Sequence, residues 1–370
     1  MDNLHIEILR RLVSFNTVTP AGIDIMLYCK ELLESWGFTV KIHQSENVPN
    51  LVAYIGNGVK TLCIAGHLDV VEPGNNWQYE PFTLIEMDGK LYGRGTNDMK
   101  GSLSSMLASI HDFIQQSSGL SIMILLTGDE EIMTNNGMHS LMNYVTHFHK
   151  SFDLCILPES CSPGEAGEYI KIGCKGSMNI DISSHAPQGH VANIPNNHLH
   201  RFIDTVHKLI GLHIDDGNDV FEPSKLQLTS IDVDNNTRNI VPSNIFAQFN
   251  VRFNNVRTSE QIKLMFEKLV PSGINSNIEV LSEPFIGCSV EWQAKLRCIV
   301  GNSLNKNVAV GTFGGNSDAK TLHKYMNVVE IGTPLAQAHI TDEFILKSDI
   351  DKLRSLYYDL ISGIASQNWS

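Results

Sequence analysis

Four short runs of almost continuous apolar residues limit the architectures open to this chain. They are TLCIAG (61–66), SIMILLTG (121–128), FDLCILPE (152–159) and MNVVEIG (326–332). Apolar spacing of three to four residues predicts helices between several of them, notably at 100–116 and 137–149. Apolar strands that alternate with helices are typical of a parallel sheet covered on both faces. We therefore predict an α/β domain whose largely parallel, mixed sheet is sandwiched by helices.

The middle of the chain shows a different pattern. Between residues 175 and 284, strand-like and helical segments follow in the order β-α-β-β-α-β, which is typical of a ferredoxin-like unit with a half-exposed sheet. We predict that this unit is inserted into the α/β domain. Residues 1–174 and 285–370 then form one discontinuous domain. The apolar residues of NIDISSHA (179–186) and of the helix at 198–210 exceed what a small half-exposed sheet buries, so we expect the inserted unit to pair two chains.

Composition narrows the class of protein. The chain has 370 residues, 42% of them hydrophobic, which is enough for two domains. Its net charge of −13 argues against binding to nucleic acid or to a membrane surface. Its seven cysteines form no CxxC pair, which suits buried thiols better than a disulfide framework. No apolar run is as long as a membrane span. The amphipathic start resembles a surface helix rather than a signal peptide. We expect a cytoplasmic protein.

Side chains that can bind a metal ion follow each of the four predicted strands. Histidine and carboxylate together suit zinc or a similar divalent ion, and one bridging carboxylate suffices for two ions. A single HxD or DEE sequence is more often ordinary surface polarity, but repetition at successive strand ends favours a metal site, because ligands bind open α/β sheets at that edge. The set is His67 and Asp69 after the first run, Glu130 and Glu131 after the second, Glu159 at the end of the third, His339 after the fourth, and Asp98 before helix 100–116.

Longer motifs add a family resemblance. With GHLDVV, DGKLYGRGTNDMKGS, TGDEE, QGHV and GGNSD, the chain resembles the dinuclear-zinc exopeptidases and deacylases, which include acetylornithine deacetylase and glutamate carboxypeptidase. The resemblance covers most of the chain, and VTPAG, GCKGS and NIVPSN are most similar to the desuccinylases of diaminopimelate and lysine biosynthesis. It implies a zinc-dependent homodimer that hydrolyses a small N-acyl amino acid, N-succinyl-LL-2,6-diaminopimelate, to succinate and LL-2,6-diaminopimelate.

The resemblance also implies roles for individual residues. Two zinc ions, for which Co²⁺ or Mn²⁺ can substitute, are bound by His67, Asp98, Glu131, Glu159 and His339, with Asp98 bridging them. Glu130 is implied as general base, Asp69 as the residue that orients His67, and His190 as an oxyanion donor reaching the partner subunit from the inserted lid and dimerisation domain. The implied substrate contacts are Lys175, Ser177, Asn239, Arg252, Gly315 and Asn316.

Two departures from the family pattern leave the acyl group open. Cys174 stands where the family has an arginine that helps to hold a substrate carboxylate, and Asn316 interrupts the usual GGTSD sequence. An N-acetyl-amino-acid deacetylase or a dipeptidase of the same family is the alternative. A binding protein with a dead site is a more distant one, because such a protein is expected to lack Glu130 or a metal ligand.

Overall fold

The structure is a computed structural model that describes residues 3–56, 60–116, 119–132, 134–149 and 152–366. Its internal contacts divide the chain into two compact units. The larger unit comprises Met1–Gly173 and Ile286–Ser370, and the smaller unit comprises Cys174–Phe285.

Helices and strands alternate along most of the described chain. The helices are α1 (Leu4–Val13), α2 (Ile23–Ser35), α3 (Gly101–Gln116), α4 (Met138–Val145), α5 (His198–Ile210), α6 (Ser259–Leu269), α7 (Val290–Leu304), α8 (Ala319–Leu322) and α9 (Lys347–Ser366). Shorter helical turns lie at Thr96–Lys100, Glu130–Ile132 and Leu335–Gln337. The strands are β1 (Thr39–Ser45), β2 (Val48–Ile55), β3 (Thr61–His67), β4 (Ile85–Met87), β5 (Lys90–Tyr92), β6 (Ser121–Thr127), β7 (Leu154–Leu157), β8 (Tyr169–Lys171), β9 (Gly173–Cys174), β10 (Gly176–His185), β11 (Gly189–His190), β12 (Lys225–Asp232), β13 (Ile240–Val241), β14 (Asn244–Phe253), β15 (Asn275–Ser282), β16 (Phe285–Ile286), β17 (Ala309–Gly311), β18 (Asn327–Glu330) and β19 (Phe344–Leu346).

The larger unit is built on a mixed sheet with strand order β1-β2-β6-β3-β7-β18-β8-β17. The strands β6, β3, β7 and β18 run parallel to one another in its centre, and β1 and β2 extend the sheet in antiparallel fashion. Every residue of β3, β6 and β7 is buried, which explains their continuous apolar sequences. The predicted largely parallel, mixed α/β sheet is confirmed.

Helices cover this sheet. α3 packs against α1 and α9, α7 packs against α9, and α2 and α4 contact β1 and β2. α3 is buried along most of its length, and its Ser105 and Ser109 donate to main-chain carbonyls of α9. Within the described ranges, no helix has both the length and the apolar content needed to cross a bilayer.

The smaller unit has an antiparallel sheet of order β12-β14-β10-β15. Helices α5 and α6 pack against it, and the order β10, α5, β12, β14, α6, β15 is the β-α-β-β-α-β succession predicted from the sequence. Phe202, Phe249 and Phe266 lie in its core. α6 begins where Thr258 and Gln261 form a reciprocal capping box.

Candidate metal centre

The predicted metal ligands follow neighbouring parallel strands of the larger unit. β3 ends at His67, Glu131 lies in the turn after β6, Glu159 follows β7, and His339 follows β18 through the loop that contains Leu335–Gln337. Because these strands are parallel and adjacent, their carboxyl ends meet at one edge of the sheet. Asp98 reaches the same edge from the turn Thr96–Lys100 that leads into α3.

The first group of possible ligands consists of His67, Asp98 and Glu159. Their ligand atoms all lie within 4.8 Å of one another. His67 Nε2 is 3.3 Å from Asp98 Oδ1 and 3.9 Å from Glu159 Oε2. One imidazole and two carboxylates, with room for water, match the donor set of a divalent metal ion with open positions.

The second group consists of Asp98, Glu131 and His339, also within 4.8 Å of one another. His339 Nε2 lies 3.1 Å from Asp98 Oδ2 and 3.1 Å from Glu131 Oε1. Asp98 therefore presents Oδ1 to the first group and Oδ2 to the second. This is the arrangement that a carboxylate bridging two ions requires, and the residues present fit a two-ion centre.

His67 is held in one orientation by main-chain and side-chain contacts of Asp69. Its Nδ1 donates to the main-chain carbonyl oxygen of Asp69 at 2.9 Å, which leaves the lone pair of Nε2 for a metal ion. The carboxylate of Asp69 lies 3.5 Å from the same nitrogen. That carboxylate also accepts hydrogen bonds from the main-chain N–H groups of Glu130 and Glu131, at 3.1 Å each, and from the Thr19 hydroxyl at 2.7 Å. Asp69 thus positions two strand ends at once.

Glu130 differs from the ligand groups in its contacts. It is buried, and its Oε1 has no hydrogen-bond partner among the described residues. Burial, together with the negative charges of Asp318 and Glu131, raises the pKa of Glu130 well above its usual range. The carboxylate lines a cavity of about 390 Å³ beside Asp98, Glu131, Glu159 and His339. An unpartnered buried carboxylate in such a cavity has the properties of a proton acceptor for a water or substrate group.

The titratable groups of the centre strongly shift one another's pKa values. Burial opposes the charged form of His67, but hydrogen bonds with Asp69 and Asp98 outweigh it and hold the pKa of His67 well above its usual value. Hydrogen bonds to Asp98 and Glu131 raise the pKa of His339 to about 10. Burial and the charge of Asp98 raise the pKa of Glu159 well above its ordinary value. The carboxylates attract positive charge, and bound metal ions would supply that charge in such a cluster.

Two predicted substrate residues, Gly315 and Asn316, line the same cavity. So does Lys171, which the sequence motifs did not single out. The buried ammonium of Lys171 donates to the main-chain oxygen of Gly315 and to Glu330, each at 2.7 Å. Glu330 also accepts from Ser317 at 2.8 Å. Lys171 therefore fixes the GGNS loop, and its charge is already paired with Glu330.

The other predicted substrate residues lie in the smaller unit. Ser177 on β10 stands directly opposite Arg252 on β14, so the two side chains emerge on the same face of that sheet. Lys175 donates to the Pro223 carbonyl at 3.0 Å and lies 3.5 Å from the Glu222 carboxylate.

Asn239 and His190 are exposed residues of the smaller unit. The main-chain oxygen of Asn239 accepts from the N–H of Val191 at 3.1 Å, and His190 Nδ1 accepts from the N–H of Ala192 at 3.2 Å. His190 belongs to β11, which pairs with β13. Nε2 of His190 makes no hydrogen bond to any described residue, so this nitrogen is available to a ligand.

The sequence also missed residues that support the centre. Glu343 and Arg94 form a buried ion pair of 2.7 Å, and Asn97 joins the Asp98 turn to Ser160 at 3.1 Å. Arg94 and Asn97 belong to the GRGTND motif, but nothing in that motif indicates their contacts. Glu343 stands in the unremarkable sequence TDEF, 245 residues from Asp98. Only its position next to His339 could have drawn attention to it.

Comparison with known proteins decides the family. The sequence pattern of peptidase family M20/M25/M40 matches residues 63–363. The chain belongs to this family. The resemblance predicted from the motifs is therefore confirmed, and the chain is a metal-dependent hydrolase of amide bonds. A curated relative is the succinyl-diaminopimelate desuccinylase of Orientia tsutsugamushi (strain Boryong), 34% identical over 371 residues, with 97% of this chain and 95% of the relative covered.

Solved structures share the fold of this chain, and one of them is described as an M20 family member. An aminopeptidase PepT from Bacillus cereus aligns with a TM-score of 0.78 at 15% identity, covering 98% of this chain and 99% of that one. The YXEP protein of Bacillus subtilis, described as a dinuclear metal binding peptidase, aligns with a TM-score of 0.69 at 13% identity, covering 97% of each chain. At these identities the likeness concerns the fold.

Proposed function

We propose that this M20 family member is a zinc-dependent amide hydrolase that cleaves N-succinyl-LL-2,6-diaminopimelate to succinate and LL-2,6-diaminopimelate. The observation that carries the hydrolase chemistry is the pair of ligand groups that share Asp98 beside the unpartnered carboxylate of Glu130. The desuccinylase relative, 34% identical over nearly the full chain, supports the substrate.

In this proposal, each ligand group holds one ion. His67, Asp98 and Glu159 hold the first, and Asp98, Glu131 and His339 hold the second. Mixed imidazole and carboxylate donors favour zinc, and Co²⁺ or Mn²⁺ is expected to substitute because both accept the same ligands. When bound, such ions supply the positive charge that polarises the amide carbonyl and makes a water molecule more acidic at neutral pH.

Glu130 moves the proton in this reaction. It lines the cavity, and its Oε1 has no hydrogen-bond partner among the described residues. There Glu130 takes a proton from the attacking water and passes it to the leaving amine. The Asp69 carboxylate fixes the turn Glu130–Ile132 through two main-chain N–H groups, so Glu130 is held in place while it exchanges the proton. A positioned base of this kind contributes about 10²–10⁴-fold to the rate.

We also propose that two chains form a homodimer through the smaller unit, so that His190 of one chain donates a hydrogen bond to the oxyanion that forms in the other. Ile180 and Ile182, which suggested an uncovered sheet face, are buried in the unit's own core. Support comes instead from Ile203, Ile210 and Ile231, which are exposed on α5 and on the edge strand β12. An edge strand with neighbouring exposed apolar residues is suited to pairing with a second copy.

The smaller unit carries four of the proposed substrate contacts. Arg252, which stands opposite Ser177 on one sheet face, is the candidate clamp for a substrate carboxylate. Lys175, in the motif GCKGS, and Asn239, in the motif NIVPSN, are further candidate contacts. Gly315 and Asn316 contribute from the cavity.

One observation favours an N-acetyl-amino-acid deacetylase as the second candidate. Cys174, which stands in place of the family arginine, is buried, and the charge of Lys171 is paired with Glu330. Few cations then remain to bind the terminal carboxylate of a succinyl group. An acetyl group has no such carboxylate and needs no cation.

Competing N-acyl substrates distinguish the two candidates. We expect kcat/KM of the zinc-loaded protein to be highest for N-succinyl-LL-2,6-diaminopimelate when compared with N-acetylornithine and simple dipeptides. Since a charge-assisted contact contributes about 1.5–3 kcal/mol, the absent arginine should raise KM about ten- to hundred-fold over an arginine-containing relative, with little change in kcat. A preference for N-acetylornithine or a dipeptide would replace the substrate assignment and leave the metal centre in place.

A cytoplasmic location stays a prediction. All seven cysteines are free and six of them are buried, as expected for a protein that folds under reducing conditions. Burial raises the pKa of Cys63 and Cys155 further, so these thiols are unreactive core residues.

A further inference from the structure

A carboxylate outside the ligand groups collects four hydrogen bonds from the segment that carries Asp98. Glu343 is completely buried. Its Oε1 accepts from the main-chain N–H groups of Asn97 at 2.8 Å and Asp98 at 3.0 Å. Its Oε2 accepts from Arg94 Nη1 at 2.7 Å and from the N–H of Gly95 at 3.1 Å. These bonds fix the main chain of Asp98 directly.

The same carboxylate is connected to His339, four residues earlier in the chain. Arg94 Nη1, which pairs with Glu343, also donates to the main-chain oxygen of Ile340 at 3.2 Å. Its guanidinium lies 5.0 Å from the ring centre of Trp77, which limits its movement. The Arg94–Glu343 pair therefore joins the loop of His339 to the turn of Asp98.

The connection continues to the third ligand loop. Asn97, held by Glu343 at its N–H, donates through Nδ2 to Ser160 Oγ at 3.1 Å, and its main-chain oxygen accepts from the same hydroxyl at 3.0 Å. The N–H of Ser160 donates to Glu159 Oε1 at 2.9 Å. One buried carboxylate thus contacts, directly or through one residue, the loops of Asp98, His339 and Glu159.

We propose that Glu343 is a positioning residue of the metal centre. It aligns the Asp98 carboxylate so that one oxygen faces each ligand group, and it holds His339 at the distance at which it completes the second group. It belongs to neither ligand group and does not line the cavity. The inference rests on the proposed two-ion function, and it differs from a merely structural ion pair in requiring that loss of Glu343 weakens metal binding in a protein that stays folded.

Metal titration tests this inference without relying on turnover. Metal-free protein is titrated with Zn²⁺ against a chromophoric chelator, and circular dichroism and thermal unfolding report folding. The wild type is expected to bind two ions per chain. Glu343→Gln replaces one carboxylate oxygen by an amide NH₂, so two of the four donors to Glu343 lose their acceptor. At least one ion should then bind about 10–100-fold more weakly.

The matched control changes another carboxylate that pairs with a buried arginine. Asp112 accepts from Arg354 Nε at 3.1 Å and Nη2 at 2.8 Å, and it does not line the cavity. Asp112→Asn should lower the unfolding temperature and leave both zinc affinities unchanged. If it weakened zinc binding as much as Glu343→Gln does, the effect would be general destabilisation and the positioning role would be wrong.

A second variant keeps the test decisive if Glu343→Gln fails to fold. Glu343→Asp keeps the charge opposite Arg94 but is one methylene shorter, so we expect weaker zinc binding than in the wild type and stronger binding than in folded Glu343→Gln. Wild-type affinity in folded Glu343→Asp or Glu343→Gln overturns the positioning role alone. Failure of the wild type to bind two ions overturns the proposed function, and the inference with it.

Discussion

Glu130 and Glu131 are adjacent in sequence, yet their carboxylates have different surroundings. Glu131 Oε1 lies 3.1 Å from His339 Nε2, whereas Glu130 Oε1 has no partner among the described residues. We therefore expect Glu130→Gln to keep its metal while kcat falls by at least ~10²-fold, because an amide cannot take the proton from water. Elemental analysis and steady-state kinetics measure the two effects separately.

The neighbouring variant is the control for this prediction. Glu131→Gln should lose metal and activity together, because it removes a charged ligand. Loss of metal from Glu130→Gln, with metal retained in Glu131→Gln, would mean that the two roles are exchanged.

Four of the five candidate ligands were predictable at this scale because each follows an apolar strand, and parallel strands bring their ends together. The fifth, Asp98, was indicated by its motif just before α3. The supporting residues were not. Glu343 binds main-chain N–H groups, and such contacts leave no periodicity or spacing in the sequence. The same holds for Lys171. A lysine at the end of a short strand gives no sign that it is buried and paired with Glu330.

Among the elements of the larger unit, an ion cluster fastens the segment before β8 to α9. Glu168 accepts hydrogen bonds from Lys306, at the end of the α7 region, and from Lys352 in α9 at 3.0 Å. The bond from Lys306, with the contribution of Lys352, lowers the pKa of Glu168 from 4.5 to about 2. Since the folded pKa is depressed, its stabilising contribution is complete above pH 4.5 and is lost as the pH falls toward 2.

We expect Glu168→Gln to lower the free energy of unfolding by about 0.2–1 kcal/mol at pH 7, the scale of a solvent-screened pair. The difference from the wild type should stay constant down to about pH 5 and shrink below it. Urea unfolding of both proteins at several pH values between 3 and 7 measures it. A difference that stays undiminished at pH 3 would show that packing rather than charge is responsible.

Elements were predictable where the apolar pattern is strong and less so elsewhere. The strand expected at 152–159 is shorter, Leu154–Leu157, and it stops before Pro158, which has no N–H to donate to a neighbouring strand. β1 was not predicted, because only part of it is buried at the sheet edge. α9 was not predicted either, although its buried residues recur every three to four positions and could have revealed it.

For the whole molecule, the change from continuous to alternating apolar pattern was enough to indicate an inserted unit, because the two sheet types bury different faces. The surface that pairs two chains could not be read in the same way. Ile180 and Ile182 have the same alternation as any sheet face, and only packing shows that α5 and α6 cover them. Exposure of Ile203 and Ile210 on the outer side of α5 is likewise a property of the folded unit.

The dimer proposal makes a prediction about mixed chains. His190→Ala and Glu130→Gln homodimers should each be nearly inactive. If His190 acts across the dimer, a hybrid of the two contains one site with both residues intact. Randomly mixed chains should then regain about one quarter of wild-type activity, because about half of the dimers are hybrid and each has one working site of two.

Two different affinity tags allow the hybrids to be purified and assayed directly, and Zn²⁺ content measured in parallel excludes loss of metal as the cause of a low rate. If His190 instead served its own chain, every site in the hybrid would lack either His190 or Glu130. Tag-purified hybrids with full metal content and no recovered activity would therefore reject donation across the interface. Recovery in those hybrids, absent from separately assayed and then summed parents, requires that each catalytic centre is completed by a second copy of the chain.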